Sequence, residues 1–272
     1  MNYNINIFKK PKSFEEGTLT LWSNQYIAEN VIKKHFDFNV DCGSRNINTI
    51  NKTINWLSEN LSTRKNIIDL GCGPGIYAKP LCQRGFNYDG IDISKYQVDF
   101  AKKYNMGIDN ARFFVSDIQN FKSDKKYDAA LMLYAVYGMQ SASERKRILL
   151  HLKNSLTKDG VVFVEVFNKN HYLGRKEKRD WEYVEKNGFW SPLPYLELNS
   201  FIRYDDLQLV LIQTIVLGKF EGIWNSWMQV FSEETLIKEF KEAGFSSFEI
   251  YGSSYGSKFK ENSDILCMCA HV

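Results

Sequence analysis

The chain has 272 residues, of which 44% are hydrophobic and 15% aromatic, a composition that supports a sizeable folded core. Its 35 basic and 32 acidic residues give a formal net charge of +3, so charge alone indicates neither a nucleic-acid-binding surface nor a channel for acidic substrates. Five cysteines without C-x-x-C spacing indicate no disulfide framework and no metal site, and favour a reducing, cytoplasmic setting.

The N-terminal stretch MNYNINIFKK lacks the apolar segment of a signal peptide. The longest apolar runs, such as VVFVEVF, are far shorter than a bilayer span. We therefore expect a cytoplasmic protein that does not associate with a membrane.

The first predicted elements are helical. Residues 14–62 contain TLTLWSNQYIAENVIKKHF and NINTINKTINWLSENL, and both stretches repeat apolar residues at helical spacing. In the second stretch the repeat runs through Ile47, Ile50, Ile54 and Leu57. The pattern predicts a helical cap ahead of a sheet.

Residues 66–167 alternate short apolar strands with helical segments. We predict strands at 66–70, 87–92, 111–115, 128–133 and 161–167. We predict helices at 76–84, 95–104 and 143–156, the last with Ser143 as its N-cap. Such alternation is typical of an α/β fold, a doubly wound and mostly parallel sheet with helices on both faces.

Residues 168–230 interrupt this alternation. A charged stretch, GRKEKRDWEYVEKNGFW, precedes two alternating runs, YLELNSFIRY and LQLVLIQTIVLG, which predict a β-hairpin turning at Asp205 and Asp206. A helix at 232–245 then begins at Ser232 and stops at Gly244, and SFEIYG and ILCMCAHV predict two closing strands.

The predicted organisation is a single domain over residues 1–272. It consists of the cap at 14–62, a core at 66–167, an insertion at 168–230, and the last helix and strands at 231–272. The five core strands and the two closing strands make a sheet of seven.

A glycine-rich turn joins the first core strand to its helix in IIDLGCGPGIYAKPL. Glycine at such a turn lets a ligand lie close to main-chain N–H groups. The glycines Gly71, Gly73 and Gly75 follow G-x-G-x-G, whereas dinucleotide-binding turns follow G-x-G-x-x-G. A purely structural turn is the alternative interpretation.

Acidic residues follow the next two strands. Asp92 ends the second strand, where a carboxylate can accept hydrogen bonds from both ribose hydroxyls. Asp117 and Ile118 follow the third, and offer an acceptor for an exocyclic amine beside an apolar side chain for a base. Each acid alone is also common as a solvated cap. Together, at the carboxyl ends of consecutive strands, they predict a pocket for an adenosine.

With these motifs in place, residues 66–167 resemble a class I S-adenosylmethionine-dependent methyltransferase. DLGCGPG resembles the glycine-rich first motif, GIDIS the ribose-binding acid motif, SDI the adenine motif, and YDAALMLYAVYGM the fourth-strand motif. The EAGF ending of the helix at 232–245 continues the resemblance. The segments LWSNQYIAENVIKKHFDFNVDCGSRNINTINKTINW, NGFW and WMQVFSEETL are similar to a bacterial subgroup whose substrate is uncharacterised. The resemblance implies a Rossmann-like fold.

The resemblance also implies a cofactor, S-adenosyl-L-methionine, with S-adenosyl-L-homocysteine as the product. It places Asp69, Gly71, Cys72 and Gly73 along the methionine part, Asp92 and Ile93 at the ribose, Asp117 and Ile118 at the adenine, and Leu133 beneath the sulfonium.

Two further residues are candidates for the cofactor's carboxylate. Arg45 is one, because related small-molecule enzymes use a basic residue in the helix before the sheet, and a guanidinium can grip a carboxylate in bidentate fashion. A surface salt bridge is the alternative for Arg45. Tyr77, in the first turn after the glycines, is the other candidate. The Cys72 thiol has an inert alternative, in which only its main chain contacts the ligand.

The implied reaction is an in-line displacement, for which the protein supplies alignment and exclusion of water. A general base is needed only for a hydroxyl, thiol or protonated amine acceptor, and the candidates are His171 and Tyr137. We expect Trp22, Tyr137, Trp190 and Trp227 on the substrate side. The alternatives are a polar surface loop for His171 and a place in the hairpin core for Trp190, Trp224 and Trp227.

The expected acceptor is an oxygen or nitrogen atom of a small molecule. The fourth-strand segment LYAVYG lacks the Asn/Asp-Pro-Pro-Tyr/Phe signature of DNA amino-methylating enzymes, and no basic stripe is visible, so we expect no nucleic-acid partner. The expected state is a monomer or a homodimer, the hairpin being a possible dimer contact. The alternatives are a cofactor-binding protein without transferase activity and a nicotinamide-dependent oxidoreductase.

Overall fold

The structure is a computed structural model that describes residues 5–22 and 24–272. The helices, in chain order, are α1 (Gln25–His35), α2 (Ile47–Asn60), α3 (Ala78–Cys82), α4 (Lys95–Tyr104), α5 (Ala142–Ser155), α6 (Lys169–Leu173) and α7 (Glu233–Glu242). Short 3₁₀ turns lie at Ile5–Phe8, Val136–Met139 and Asp205–Leu207. The strands are β1 (Asn66–Leu70), β2 (Asn87–Asp92), β3 (Ala111–Val115), β4 (Tyr127–Met132), β5 (Leu156–Phe167), β6 (Lys178–Val184), β7 (Tyr195–Tyr204), β8 (Leu209–Gly218), β9 (Gly222–Gln229), β10 (Ser247–Tyr251) and β11 (Ile265–His271).

Seven strands form the main sheet, in the order β10-β11-β5-β4-β1-β2-β3. Neighbouring strands among β1 to β5 are parallel, whereas β11 is antiparallel to both β5 and β10. The predicted Rossmann-like, mostly parallel seven-stranded sheet is therefore confirmed. Because β1 to β5 are parallel, their carboxyl ends lie at one edge of the sheet, and ligands of such folds bind there.

Apolar side chains cover both faces of the main sheet. On one face Ile54 and Leu57 of α2 pack in a buried cluster with Tyr88 and Phe163. On the other face a cluster joins residues of α5 and α7, including Leu152 and Phe240, to the sheet. Helices thus bury their apolar stripes on both sides, as the strand and helix alternation predicted.

The predicted helix over TLTLWSNQYIAENVIKKHF is wrong in its first part, because α1 begins only at Gln25. Thr18 and Leu19, which the prediction placed in this helix, lie along the edge strand β9 instead. The Leu19 N–H donates to the Ile223 carbonyl at 2.8 Å, and the Ile223 N–H donates to Thr18 Oγ1 at 2.9 Å. TLTL alternates as a strand does, and the open edge of β9 offers hydrogen-bond partners that a helix would not use.

The predicted hairpin is present as β7 and β8, joined by the turn at Asp205–Leu207, but it belongs to a larger sheet. The inserted sheet has four antiparallel strands in the order β6-β7-β8-β9. Strand β6 arises from the charged stretch that we did not predict as a strand, and almost all of its residues are exposed. Trp181 and Tyr183 alternate with charged residues along β6, but both aromatic side chains are exposed, so this short alternation does not mark a half-buried strand.

The termini of two helices follow from their caps. Helix α5 begins one residue earlier than predicted, because the Glu144 carboxylate accepts the Ser141 N–H at 2.6 Å and makes Ser141, not Ser143, the N-cap. Ser232 caps α7 as predicted by accepting the Thr235 N–H at 3.2 Å. Gly244 follows α7 with φ +91°, the left-handed conformation that ends many helices.

Two expectations from composition concern the whole chain. Within residues 5–22 and 24–272, no helix combines the length and the apolar character that crossing a bilayer requires. All five cysteines are free thiols.

Replacement of Gly75 by alanine tests how closely the glycine turn packs on α4. Gly75 has φ +74°, and an added Cβ would lie 2.8 Å from both Asn105 Nδ2 and Phe113 Cε1. Gly107 is a matched control, because it has φ +83° with no atom within 4 Å of an added Cβ. We expect Gly107→Ala to lower the free energy of unfolding by about 1 kcal/mol. Gly75→Ala should lose about 1–3 kcal/mol more than Gly107→Ala, because its Cβ overpacks against Asn105 and Phe113. Urea unfolding of both variants measures the difference, and equal losses would contradict this packing constraint.

Candidate functional site

The glycine loop after β1 is held to the end of β2 by main-chain hydrogen bonds. The N–H groups of Gly71 and Cys72 both donate to the Ile91 carbonyl, at 2.8 and 3.0 Å. Gly71 and Gly73 have φ +78° and +53°, a conformation that side chains disfavour. The loop therefore lies at the carboxyl edge of the sheet with its main chain fixed.

Asp92, at the end of β2, contacts this loop directly. Its carboxylate accepts the Gly73 N–H at 3.0 Å and the Ser94 N–H at 2.8 Å. Burial raises the pKa of Asp92, and these two hydrogen bonds oppose that shift. A carboxylate has about four acceptor positions, so two are left for a ligand such as a pair of ribose hydroxyls. The neighbouring Ile93 is half exposed and offers apolar surface beside them.

Asp117 and Ile118 follow β3 at the same edge. Asp117 is partly exposed, and its carboxylate accepts the Gln119 N–H at 2.9 Å. Ile118 is buried in the core cluster that contains Phe121 and Tyr127. Asp117 therefore retains acceptor positions for a ligand, whereas most of the Ile118 side chain is used in core packing.

The side chains of Asp69 and Cys72 are both buried. Asp69 accepts a hydrogen bond from the Tyr88 hydroxyl, and burial raises the pKa of its carboxyl to about 7. Cys72 packs beside Gly90, and burial raises the pKa of its thiol well above the ordinary value. A thiol in this state is protonated and unreactive, which favours the interpretation that the loop offers its main chain to a ligand.

Arg45 lies before the N-cap of α2, not inside a helix, and forms a buried ion pair. Its Nε donates to Glu165 Oε1 at 2.8 Å, Nη2 contacts the same oxygen, and Nη1 donates to Asp41 at 2.9 Å. The Arg45 side chain is 11% exposed and that of Glu165 only 1%. The alternative of a surface salt bridge is therefore corrected to a buried pair, and three of the five guanidinium donors are already in use.

Glu165 also holds the turn that follows β4. Its Oε2 accepts the Tyr134 N–H at 3.1 Å, and the Tyr134 ring lies 4.9 Å from the Arg45 guanidinium carbon. Tyr134 and Ala135 have φ +53° and +62°, a conformation that is uncommon outside glycine and often occurs at functional sites. Leu133, which begins this turn, is buried. The turn is thus held in an unusual shape beside the glycine loop.

Tyr77 lies at the N-cap of α3, directly after the glycines. Burial, followed by the charge of Glu165, raises the pKa of its hydroxyl. This hydroxyl has no hydrogen-bond partner within residues 5–22 and 24–272. It is a neutral donor close to Glu165 and Arg45, and its assignment to the cofactor's carboxylate stays a prediction.

Tyr137 does not face this edge of the sheet. The side chain is fully buried, and its hydroxyl donates to Glu239 at 2.6 Å, an acid that also accepts Arg145 Nε at 2.8 Å. The 3₁₀ turn at Val136–Met139 places the ring in the core beside Phe240 of α7. The predictions of Tyr137 as a general base and as a substrate contact are therefore corrected, because its hydroxyl belongs to a core network.

The predicted substrate-side tryptophans contribute to the packing of the inserted sheet. Trp190 is buried in a cluster with Ile27 of α1, and its ring centroid lies 5.6 Å from that of Trp224. Trp227 is buried as well, and its Nε1 donates to the Glu15 carbonyl at 2.9 Å. The alternative of hairpin core therefore holds for both residues. Trp22 is partly buried just ahead of α1.

His171 lies in α6, at the carboxyl end of β5. Its ring stacks on Phe167 with centroids 4.3 Å apart and is partly buried. Burial, followed by the charge of Arg175, lowers its pKa, so the imidazole is neutral at neutral pH. A neutral imidazole at this edge can accept a proton, and the assignment of His171 as a general base stays a prediction.

Two residues at this site, His35 and Glu165, were not predicted from the sequence. His35, the last residue of α1, lies against the loop at Gly73, and no motif singles it out. Glu165 could have been found, because VVFVEVF places one acid inside an otherwise apolar strand, where a buried charge requires a partner. Within the described residues, no group of three or more His, Cys, Asp or Glu side chains could hold a metal ion.

Comparison with known proteins gives a consistent result. The family model described as a methyltransferase domain matches residues 44–249. Among curated relatives, malonyl-[acyl-carrier protein] O-methyltransferase 2 of Ilyobacter polytropus is 28% identical over 149 residues, which are 54% of this chain and 52% of that protein. The ubiquinone biosynthesis O-methyltransferase of Pelagibacter ubique is 25% identical over 213 residues, 75% of this chain and 78% of that protein. The chain thus spans about half the length of the first relative.

Solved structures with the same fold are more distant in sequence. An S-adenosylmethionine-dependent methyltransferase from Clostridium acetobutylicum matches with a TM-score of 0.65 at 15% identity, covering 91% of this chain and 96% of that chain. The sugar N-methyltransferase KedS8 from Streptoalloteichus matches with a TM-score of 0.62 at 12% identity, covering 97% and 98%. At such identities the likeness establishes the fold.

Replacement of Arg45 by methionine tests the buried ion pair. The variant leaves the Glu165 carboxylate buried without its counter-charge, and we expect it to lose about 3–5 kcal/mol of unfolding free energy. The double variant Arg45→Met, Glu165→Gln should lose clearly less, because it removes both charges. Lys238→Met, which breaks an exposed pair with Glu242, is the surface control and should lose less than about 0.5 kcal/mol. Denaturant unfolding of the four proteins checks this, and equal losses in the single and double variants would contradict the pairing.

Proposed function

The chain belongs to the methyltransferase domain family, whose class I members use S-adenosyl-L-methionine as cofactor, and from this membership we propose that it methylates an oxygen or nitrogen atom of a small molecule. The observation that carries the proposal is the geometry around Asp92. Its carboxylate fixes the Gly73 N–H and keeps two acceptor positions free, next to a loop whose main chain is bare. Such an arrangement suits a ribose beside an extended polar chain.

The residues present fit this cofactor. The N–H groups of Gly71 and Gly73 are already bonded to Ile91 and Asp92, so the loop would hold the methionine part through its main-chain carbonyls. Asp92 would hold the ribose, and Asp117 the amine of the adenine. The exposed surface of Ile93 would lie against the adenosine. When bound, the cofactor supplies a methyl group that its sulfonium activates for displacement.

The inserted sheet supports a small acceptor. The insertion leaves the main sheet at the carboxyl end of β5 and packs back on the turn after β4, in a cluster that joins Tyr172, Val210 and Met228 to Ala135 and Phe167. It therefore borders the same edge as the glycine loop. Walls of this kind limit the room for an acceptor and exclude water from the reacting atoms.

The charges on the insertion support an acceptor other than nucleic acid. Along β6 the basic residues Lys178 and Arg179 are followed by the acidic Asp180 and Glu182, so the charges of this strand are mixed and form no continuous basic stripe. The names of similar proteins include O-methyltransferases and an N-methyltransferase. They support an oxygen or a nitrogen atom as the methyl acceptor and do not choose between the two.

His171 is the side chain that could move a proton in this reaction. Its neutral imidazole lies over Phe167 at the carboxyl end of β5, the strand from which the insertion departs. An acceptor hydroxyl or ammonium must lose a proton during transfer, and a neutral imidazole can accept it. The remaining contribution of the protein is alignment of the acceptor with the methyl group.

Replacement of Asp92 by alanine tests the cofactor assignment. We expect binding of S-adenosylhomocysteine to weaken by roughly 1.5–3 kcal/mol, the range for hydrogen bonds to a charged group. Asp92→Asn should lose less, because it keeps one acceptor, and Asp99→Ala on the surface of α4 should change nothing. Isothermal calorimetry measures all three. Unchanged affinity in Asp92→Ala would remove this residue from the site.

Replacement of His171 by glutamine tests the proton acceptor. A screen of purified protein with methyl-labelled cofactor against metabolite pools first identifies the acceptor. With an acceptor that must lose a proton, His171→Gln should reduce the transfer rate at neutral pH by about 10²–10⁴-fold. The affinity for S-adenosylhomocysteine should stay within twofold. A variant that transfers at the wild-type rate would assign His171 a packing role.

A further inference from the structure

His35 borders the glycine loop from the end of α1. A Cβ built on Gly73 would lie 3.2 Å from His35 Cε1 and 3.6 Å from His35 Nε2. The imidazole thus packs directly on the loop where Gly73 has no side chain. Any ligand that lies along the main chain of Gly71 and Gly73 has this ring at its border.

The orientation of the ring is fixed by its neighbours. Nδ1 lies 2.7 Å from Ser44 Oγ, and Gly43, with φ +77°, brings the chain back beneath the ring. The next residue, Phe36, anchors the end of α1 on α4, with ring centroids 5.4 Å from Phe100 and 5.1 Å from Tyr104. Nε2 is left without a hydrogen-bond partner in the part of the chain that the structure describes. Nδ1 therefore fixes the orientation of the ring, and Nε2 is available to a ligand.

The charge state of His35 suits a hydrogen bond to a zwitterion. Burial lowers its pKa to about 4, so the ring is neutral at neutral pH and carries one donor and one acceptor nitrogen. The Ser44 hydroxyl can either donate or accept, so Nε2 can adopt either role. A neutral ring can thus contact an ammonium or a carboxylate without adding a charge to the site.

Arg45 is poorly placed to bind the carboxylate of such a zwitterion. Its Nε and Nη2 contact Glu165 and its Nη1 contacts Asp41, so two carboxylates already compensate its single positive charge. A third carboxylate, brought by a ligand, would have to compete with both. The polar end of a ligand on the glycine loop therefore needs another partner.

We infer that His35 is a direct ligand of the bound cofactor, and that its Nε2 hydrogen-bonds the amino-acid end of S-adenosylmethionine where this end lies along Gly71 and Gly73. The inference rests on the proposed function. It assigns to His35 the contact that the sequence had predicted for Arg45. It also ties α1, which packs on the inserted sheet through Ile27, to the presence of the cofactor.

Two probes that differ only at the relevant end test this assignment. S-Adenosylhomocysteine carries the amino-acid end, and 5′-methylthioadenosine lacks it. By calorimetry, His35→Ala should bind S-adenosylhomocysteine about 10-fold more weakly or worse, as for the loss of a hydrogen bond to a charged group. It should bind 5′-methylthioadenosine within twofold of wild type. His35→Gln, which keeps a hydrogen-bonding side chain, should recover part of the loss.

The double variant Arg45→Met, Glu165→Gln is the matched control for the rival assignment. We expect its affinity ratio for the two probes to equal that of wild type. The inference would be overturned in favour of Arg45 if this double variant lost affinity for S-adenosylhomocysteine relative to 5′-methylthioadenosine and His35→Ala did not. An equal loss of affinity for both probes in His35→Ala would also overturn it, because the ring would then only support the loop.

A measurement on the wild-type chain does not depend on the folding of any variant. The Cε1–H resonance of His35, one of four histidines, can be assigned by its absence in His35→Gln. It should shift on addition of S-adenosylhomocysteine and much less with 5′-methylthioadenosine. An equal response to both probes counts against the contact. Binding of S-adenosylhomocysteine by wild type and its loss in Asp92→Ala test the proposed function separately.

Discussion

The site depends on the hydrogen bonds that tie the loop after β1 to the end of β2. Two N–H groups, of Gly71 and Cys72, share the Ile91 carbonyl, and a third, of Gly73, is bound by the Asp92 carboxylate. The loop can follow this course only where glycine permits a left-handed backbone. The same hydrogen bonds therefore fix a backbone without side chains at the glycines and place the Asp92 carboxylate beside it. Both features that a nucleoside ligand requires arise from the same constraint.

The N-terminal segment connects this loop to the inserted sheet. Leu19 pairs with the edge of β9, Ile27 packs with Trp190, and His35 contacts the loop at Gly73. These contacts follow one another along some 17 residues of chain, and most of them lie on α1. Helix α1 itself contacts the inserted sheet through Ile27 and the glycine loop through His35. The two sides of the carboxyl edge are thus bridged by a helix that precedes every recognisable motif.

Most of the main sheet could be predicted, because its strands are short apolar runs bounded by turns and its glycine turn has a distinctive spacing. The boundaries of β1, β2 and β3 agree with the predictions. The inserted sheet was harder, because β6 is exposed on both faces, and its aromatic residues Trp181 and Tyr183 lie among charged residues without marking a buried face. Side-chain direction was the other limit. Nothing in the sequence shows that Tyr137 turns toward Glu239, or that His35 meets Gly73, since both contacts arise from tertiary packing.

The electrostatics of the edge follow from which charges are paired there. Burial raises the pKa of Asp69 and of Asp92, although Asp69 accepts a hydrogen bond from the Tyr88 hydroxyl and Asp92 accepts two from main-chain N–H groups. Glu165 has a counter-charge in Arg45, but that guanidinium is shared with Asp41. His35 is neutral and adds no positive charge. The carboxylates at this edge are thus held either by main-chain N–H groups, as at Asp92, or by a guanidinium shared with a second acid, as at Glu165, and the neutral His35 leaves both arrangements unchanged.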